Sequence, residues 1–127
     1  MTFTGIHHLV LRVHDLDAST SHWSETLGVD VTRFSENREL GVKQAFLDLR
    51  DSGFIELVAP LNEDSELARV LDAKGEGLQL VSMSVDDPNS AAAALTNRGV
   101  KIVGQENGPF FVHPKSANGV MLALAKR

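Results

Sequence analysis

The sequence predicts an α+β fold made of two tandem βαβββ units, and an internal repeat is the main reason. Residues 6–13 and 78–85 are apolar runs of strand length, and an aspartate, Asp15 or Asp87, follows each run. Each aspartate precedes a helical segment that ends near a Gly-Val pair. We therefore expect strands of both units to form a curved mixed sheet around a cleft, with the helices outside.

Composition limits the possible functions before any motif is considered. The chain has 127 residues, of which 43% are hydrophobic and 23% are charged, so we expect one domain over residues 1–127. The absence of cysteine excludes disulfides, thiolate metal sites and thiol nucleophiles. The net charge of −5 argues against nucleic acid or an anionic membrane as a partner. No signal peptide or membrane span is visible, so we expect a cytoplasmic protein.

The first module is predicted over about residues 5–60. After the strand at 6–13, Asp15 is a candidate N-cap for a helix whose inner face carries Leu16, Thr20, Trp23 and Leu27. Three short strands are then predicted at about 29–34, 42–49 and 54–59.

A short helix is predicted to join this module to a second one at about residues 77–125. Ser65 lies near the start of that helix, and its apolar face carries Leu67, Val70 and Leu71. In the second module Pro88 suits the first position of a helix that Gly99 ends. The remaining strands are predicted at about 100–104, 108–112 and 119–125.

Side chains alternate between the two faces of a strand, which assigns each residue to a face. The more apolar positions, such as Leu11, Ile55 and Leu57, are expected to pack under the helices. The opposite face then carries His8 and Glu56, which could be half of a metal site or an acid/base pair. The alternative is a hydrogen-bonded pair with a structural role. Other residues on this face are candidates for substrate binding: Arg12, Gln44, Phe46, Leu80, Ser82, Ser84 and Ala123.

Several motifs resemble the vicinal oxygen chelate superfamily of glyoxalases, bleomycin-resistance proteins and dioxygenases, and most closely its methylmalonyl-CoA epimerase branch. The motifs are Ile6-His7-His8-Leu9-Val10, Phe54-Ile55-Glu56-Leu57-Val58-Ala59-Pro60, Gly75-Glu76-Gly77-Leu78 and His113-Pro114-Lys115-Ser116. The resemblance covers about residues 5–125 and implies the paired-module fold, a small-molecule ligand and a homodimer. It does not fix the activity, because this fold supports many chemistries.

The resemblance also implies a metal site with one His and one Glu or Gln from the first module and one His and one Glu from the second. His8 and Glu56 match the first pair, but Leu80 and Ala123 stand at the positions of the second. Two protein ligands are too few for an open catalytic site, which keeps three. We therefore expect no metal cofactor, only the remnant half-site. Glu39 lies near the position where the epimerase branch has a proton-transferring glutamate.

Three functional hypotheses follow. The first is a metal-independent lyase or isomerase that acts on a small carbonyl or acyl-thioester substrate, with Glu56 or His8 as the base and Glu39 as a further candidate. Ser82, Ser84 and Arg12 would then stabilise the enolate oxygen; alternatively, Arg12 reaches the rim of the cleft or pairs with Glu56. The second is a metal-free protein that binds or sequesters a small molecule. The third is a true metal-dependent epimerase.

Overall fold

The computed structural model describes residues 2–104 and 106–127 and contains the predicted mixture of strands and helices. Its strands are β1 (Phe3–Arg12), β2 (Asp30–Asn37), β3 (Val42–Asp48), β4 (Phe54–Pro60), β5 (Gly77–Val85), β6 (Ile102–Gly104), β7 (Phe110–Val112) and β8 (Leu122–Lys126). Its α-helices are α1 (Leu16–Ser21), α2 (Glu66–Lys74) and α3 (Pro88–Asn97). Among the described helices, none is long and apolar enough to cross a membrane.

The described strands form one eight-stranded sheet in the order β2-β3-β4-β1-β5-β8-β7-β6. Strands β2, β3 and β4 pair in antiparallel fashion, as do β6, β7 and β8. Strands β5 and β8 run parallel to each other. The sheet is therefore mixed, and the predicted α+β fold class is confirmed.

The chain divides into two compact units. Residues 10–79 form one of them, which we call the continuous unit. The described residues 2–9, 80–104 and 106–127 form the other, which we call the split unit because it combines the start of the chain with its second half. The boundaries fall within β1 and β5, so each of these strands contributes to both units.

In the continuous unit, α1 covers one face of the antiparallel strands. The buried core contains Val13, Leu16, Ala45, Leu47, Leu57 and Ala59, and Ile55 and Trp23 pack against it. The helix begins as predicted, because the Asp15 side chain accepts a hydrogen bond from the Ala18 backbone N–H at 3.0 Å. Ser65 caps α2 in the same way through Ala68, and Leu67 and Leu71 are buried.

The end of the first helix differs from the prediction. Residues His22–Thr26 form a π-helical turn, in which the Leu27 N–H donates to the His22 carbonyl oxygen at 3.2 Å. A π turn holds more residues than an α turn, so the spacing of the inner face is lost beyond Trp23. Leu27, which we expected on the buried face, is 52% exposed.

The split unit has its own core between α3 and its strands, formed by Val85, Ala91, Ala92, Leu95, Val112 and Leu124. Pro88 occupies the start of α3 as predicted. Asp87 is the N-cap residue, and its carboxylate accepts from the Ser90 hydroxyl at 2.6 Å. This hydrogen bond lowers the pKa of Asp87.

The last strand is shorter than predicted, because a 3-10 turn at Pro114–Ser116 precedes it. His113 Nδ1 accepts from the Lys115 N–H at 3.0 Å, and the Gly119 N–H donates to the Pro114 carbonyl oxygen at 2.8 Å. The chain therefore enters β8 only at Leu122 and not at about residue 119.

Candidate functional site

The site begins with a row of polar side chains on the sheet face opposite the core of the continuous unit. Gln44 Nε2 donates to Glu56 Oε2 at 3.1 Å, and the Ser35 hydroxyl donates to Gln44 Oε1 at 2.7 Å. Three neighbouring strands supply the three residues, with Ser35 opposite Gln44 in the register. Because Ser35 occupies the amide oxygen of Gln44, the amide NH₂ group is directed at Glu56. The carboxylate is thereby held in a defined orientation.

An aromatic pair lies on the same face beside the Glu56 carboxylate. Phe46 is directly opposite Glu56 in the register of β3 and β4. The rings of Phe46 and Phe54 are tilted relative to each other, with centroids 5.9 Å apart. The Arg33 guanidinium carbon lies 4.0 Å from the centroid of the Phe46 ring, which is cation–π geometry. The predicted candidates Gln44, Phe46 and Glu56 thus come together.

Arg33 was not among the site residues predicted from the sequence. Simple alternation does not place it on this face, because the register of β2 and β3 shifts between Val31 and Arg33. Val31 packs against the core, and Arg33, two residues later, lies opposite Phe46 on the other face. The extra residue of a β-bulge is hard to detect in a sequence, although the polar Arg33, two residues after Val31, interrupts the apolar alternation.

Arg12 makes hydrogen bonds within its own unit. Its Nε donates to the Gly75 carbonyl oxygen at 2.7 Å. Its Nη1 group donates to the Leu78 carbonyl oxygen at 2.6 Å and to Gln79 Oε1 at 3.2 Å. These bonds tie β1 to the segment between α2 and β5, so the observed geometry gives Arg12 a positioning role there.

His8 belongs to the split unit, where it contacts its neighbour in sequence. The Nδ1 atoms of His7 and His8 are 2.8 Å apart, and the two rings meet edge to face. Only one of the two nitrogens can donate in such a bond, and the other must accept. Burial lowers the pKa of His7, and the nearby His8 lowers it further.

The other candidates of the split unit offer few accessible polar groups. Ser82 is only 2% exposed and Ser84 only 9% exposed, so both hydroxyls lie in a covered part of β5. Ser82 pairs with Ala123 in the parallel register of β5 and β8. Leu80 and Ala123 are both half-buried and carry no polar side-chain atom.

Glu39 lies in the turn between β2 and β3 and is exposed. The turn is fixed by the Asn37 side chain, which accepts from the Leu40 N–H at 3.1 Å. Gly41 follows with φ of 69°, and a Cβ atom at this position would lie 3.1 Å from the Ser65 Cβ. A side chain at residue 41 would therefore strain the turn that presents Glu39.

The residues do not fit the four-ligand metal site that the resemblance implies. In the part of the chain that the structure describes, no three His, Cys, Asp or Glu side chains are grouped to hold an ion. Of the four implied positions, only His8 and Glu56 have donor atoms, and hydrocarbon side chains occupy the other two. A catalytic ion needs at least three protein ligands, so this donor set is one short of an open site.

Comparison with known families agrees with the fold. The profile of the Glyoxalase/Bleomycin resistance protein/Dioxygenase superfamily matches residues 7–112. The chain belongs to this superfamily.

Curated relatives place the chain near one branch of the superfamily. It is 28% identical over 127 residues to the mitochondrial methylmalonyl-CoA epimerase of Homo sapiens, with 94% of this chain and 72% of the relative covered. It is also 28% identical over 128 residues to the ethylmalonyl-CoA/methylmalonyl-CoA epimerase of Cereibacter sphaeroides, covering 94% of this chain and 95% of that protein.

Solved structures give the same result. The methylmalonyl-CoA epimerase of Mycobacterium tuberculosis superposes with a TM-score of 0.88 at 32% identity, covering 98% of this chain and 89% of that chain. A glutamate-to-glutamine variant of the Streptomyces coelicolor methylmalonyl-CoA epimerase, in complex with 2-nitronate-propionyl-CoA, has a TM-score of 0.85 at 31% identity, with 98% of each chain covered. The epimerase-branch resemblance is therefore confirmed.

Proposed function

We propose that the protein is a metal-independent isomerase or lyase that transfers a proton on a small carbonyl or acyl-thioester substrate, with Glu56 as the base. The hydrogen bond from Gln44 to Glu56 is the observation that carries this proposal. A general base must be held in one orientation relative to the C–H bond that it attacks. The Ser35–Gln44–Glu56 row supplies that orientation from the protein itself.

The substrate class is proposed from the relatives and from the chemistry of a carboxylate base. Relatives are named as epimerases of methylmalonyl-CoA and ethylmalonyl-CoA, and one structural neighbour is a complex with methylmalonyl-CoA. In such a thioester the C–H bond next to the carbonyl carbon is the acidic one. Glu56 would take this proton while the C–H electron pair forms a carbon–carbon double bond and the π electrons of the carbonyl group move to its oxygen, which gives an enolate.

The fate of the enolate separates the two reaction classes. Return of a proton to the carbon on the opposite face gives an isomerase, and loss of a leaving group from the neighbouring carbon gives a lyase. Inversion needs a second proton donor, for which His8 and Glu39 are the proposed candidates. Hydrogen-bond donors would have to bind the carbonyl oxygen of the substrate.

Two other functions have specific support. Arg12 donates to backbone carbonyl oxygens, and Ser82 and Ser84 are buried, so these donors are not displayed to stabilise an enolate. This favours a metal-free protein that binds a ligand without catalysis. The names of the relatives favour a metal-dependent epimerase. That third function would need metal ligands in addition to His8 and Glu56.

The test compares Glu56→Gln with Glu36→Gln. Glu36 is an exposed carboxylate on β2, opposite Lys43, and its loss removes the same charge from the same unit. Wild-type protein is incubated with methylmalonyl-CoA or propionyl-CoA in D₂O, and exchange of the C–H proton next to the thioester is followed by NMR. We expect Glu56→Gln to slow exchange by about 10²-fold or more, as loss of a general base does, and Glu36→Gln to leave it unchanged.

Several results would contradict the proposal. Full exchange in Glu56→Gln combined with its loss in Glu39→Gln would move the base to Glu39. Tight binding of a thioester with no exchange in wild-type protein would favour the binding protein. Exchange that is abolished by a chelator and restored by a divalent ion would favour the metal-dependent epimerase.

We also propose that the protein works as a cytoplasmic homodimer with a small-molecule ligand and without nucleic-acid or membrane partners. The acidic net charge of −5 and the superfamily resemblance support this assignment. Light scattering coupled to size exclusion should give twice the mass of the 13.8 kDa chain. A mass equal to that of one chain would contradict the dimer.

A further inference from the structure

We infer that Arg33 binds an anionic group of the substrate, either a carboxylate or a phosphate. The inference rests on the proposed function, because it assigns the group that holds the substrate beside Glu56. Neither the sequence pattern nor the superfamily resemblance assigns a role to Arg33.

A β-bulge turns Arg33 onto the sheet face that carries Phe46. Val31 lies opposite Leu47, so regular pairing would place Thr32 opposite Phe46 and Arg33 opposite the fully buried Ala45. The register shift instead brings Arg33 opposite Phe46. The Thr32 hydroxyl donates to the Phe46 carbonyl oxygen at 3.1 Å, which stabilises the irregular pairing. Bulges near functional sites commonly redirect a side chain in this way.

The Arg33 guanidinium is held by an aromatic ring. It stacks on the Phe46 ring at 4.0 Å, and Phe54 supports that ring from the side. Within residues 2–104 and 106–127, no carboxylate forms an ion pair with Arg33, in contrast to Arg127, which pairs with Asp86. Stacking fixes the plane of the guanidinium but leaves its N–H edge for a bidentate oxyanion. The charge is thus oriented and still available.

Arg33 and the proposed base Glu56 lie on the same face of the sheet. Arg33, Phe46 and Glu56 are consecutive register partners on three adjacent strands. Neighbouring strands lie about 4.8 Å apart, so the Cα atoms of Arg33 and Glu56 are roughly 10 Å apart. The Arg33 guanidinium, stacked on Phe46, and the Glu56 carboxylate therefore lie on one sheet face, where a single ligand that carries an anionic group and an acidic C–H can reach both.

The experiment measures binding by calorimetry for wild-type protein, Arg33→Gln, Arg33→Lys and the control Arg98→Gln. Arg98 is an exposed arginine just after α3, so its replacement removes the same charge from the split unit. The probes are methylmalonyl-CoA, propionyl-CoA, which lacks the free carboxylate, and 3′-dephospho-CoA. Melting temperatures of all variants verify that the fold is retained.

We expect Arg33→Gln to raise the dissociation constant for methylmalonyl-CoA about tenfold, in line with loss of a charged hydrogen-bonding partner. Arg33→Lys should recover part of the affinity, because it keeps the charge but not the bidentate fork. A loss seen with methylmalonyl-CoA but not with propionyl-CoA identifies the carboxylate as the bound group. An equal loss of affinity for methylmalonyl-CoA and propionyl-CoA, together with a smaller loss for 3′-dephospho-CoA, identifies the 3′-phosphate as the bound group.

Unchanged affinity in Arg33→Gln for every probe that wild-type protein binds would overturn the inference and leave the proposed base untouched. Equal weakening in Arg98→Gln would also overturn it, because the effect would then reflect net charge alone. Unslowed exchange in Glu56→Gln would overturn the proposed base and leave Arg33 as a binding residue. Failure of wild-type protein to bind any of the probes would overturn both.

Discussion

The two compact units use their strands differently on the face opposite the core. In the continuous unit, this face carries the Ser35–Gln44–Glu56 row together with Arg33 over Phe46. In the split unit, the strands that the repeat matches to β1 and β4 carry Leu80, two buried serines and Ala123. Both units nevertheless keep a separate core of six buried hydrophobic residues.

This difference shows that a unit can keep its buried core whether or not the other face of its strands carries accessible polar side chains. The core of each unit depends on one face of its strands and on the helix above it, so the residues of the other face can change at small cost to folding. A polar row also needs a complete set of partners, because a buried group that loses its partner keeps its desolvation penalty. We therefore expect the site to work as one network in the continuous unit.

The largest expected effect comes from cutting into the core beneath the site. Leu57 is fully buried and lies between Glu56 and Val58 on β4. Leu57→Ala should lower the free energy of unfolding by about 2–5 kcal/mol and should also disturb Glu56-dependent exchange. The matched truncation Leu124→Ala, in the core of the split unit, should cost a similar amount but leave exchange intact at temperatures where the variant is folded. Denaturant unfolding and exchange rates measure both, and equal loss of exchange in the two variants would contradict the division of roles.

A second prediction concerns the metal content of the wild-type protein. We expect wild-type protein purified without chelators to contain less than about 0.1 divalent ion per chain, because two ligands do not retain one. Elemental analysis decides the matter. One ion per wild-type chain, lost in His8→Ala, would show that the metal site is complete in another way.

The smallest expected effect concerns the acid sensitivity of the histidine pair. The pKa of His7 is lowered in the folded protein, so the unfolded chain binds more protons as the pH falls below about 6.5. The folded state should therefore lose stability between pH 7 and pH 5. His7→Gln should reduce this loss, whereas His22→Gln, a change at an exposed position, should not. Melting temperatures at pH 7.5 and pH 5.5 test the difference, and identical acid shifts in wild-type protein and His7→Gln would refute it.

Local sequence patterns predicted many elements of the fold. Alternation placed Ile55 and Leu57 under the helix and Glu56 on the opposite face, and the capping signals at Asp15, Ser65 and Pro88 identified the starts of all three α-helices. These features are local, because each depends on residues within a few positions of one another.

The missed features depend on breaks in regularity or on distant partners. The bulge that redirects Arg33 changes the register by one residue, and the π turn moves Leu27 out of the buried face. Arg12 was assigned to the correct strand, but its three acceptors lie more than sixty residues away in the sequence. Such contacts are set by the tertiary arrangement, which the spacing of residues along one strand does not contain.

The division of β1 between the units has a consequence for synthesis on the ribosome. Residues 2–9 leave the ribosome before the continuous unit, yet they belong to the same compact unit as residues 80–104 and 106–127, which leave it afterwards. Residues 10–79 can therefore meet all the partners of their own unit earlier. Strand β1 can pair with β4 once Pro60 has emerged and with β5 after Val85, but the contacts of Phe3 with the core of the split unit must wait for Val112 and Leu124.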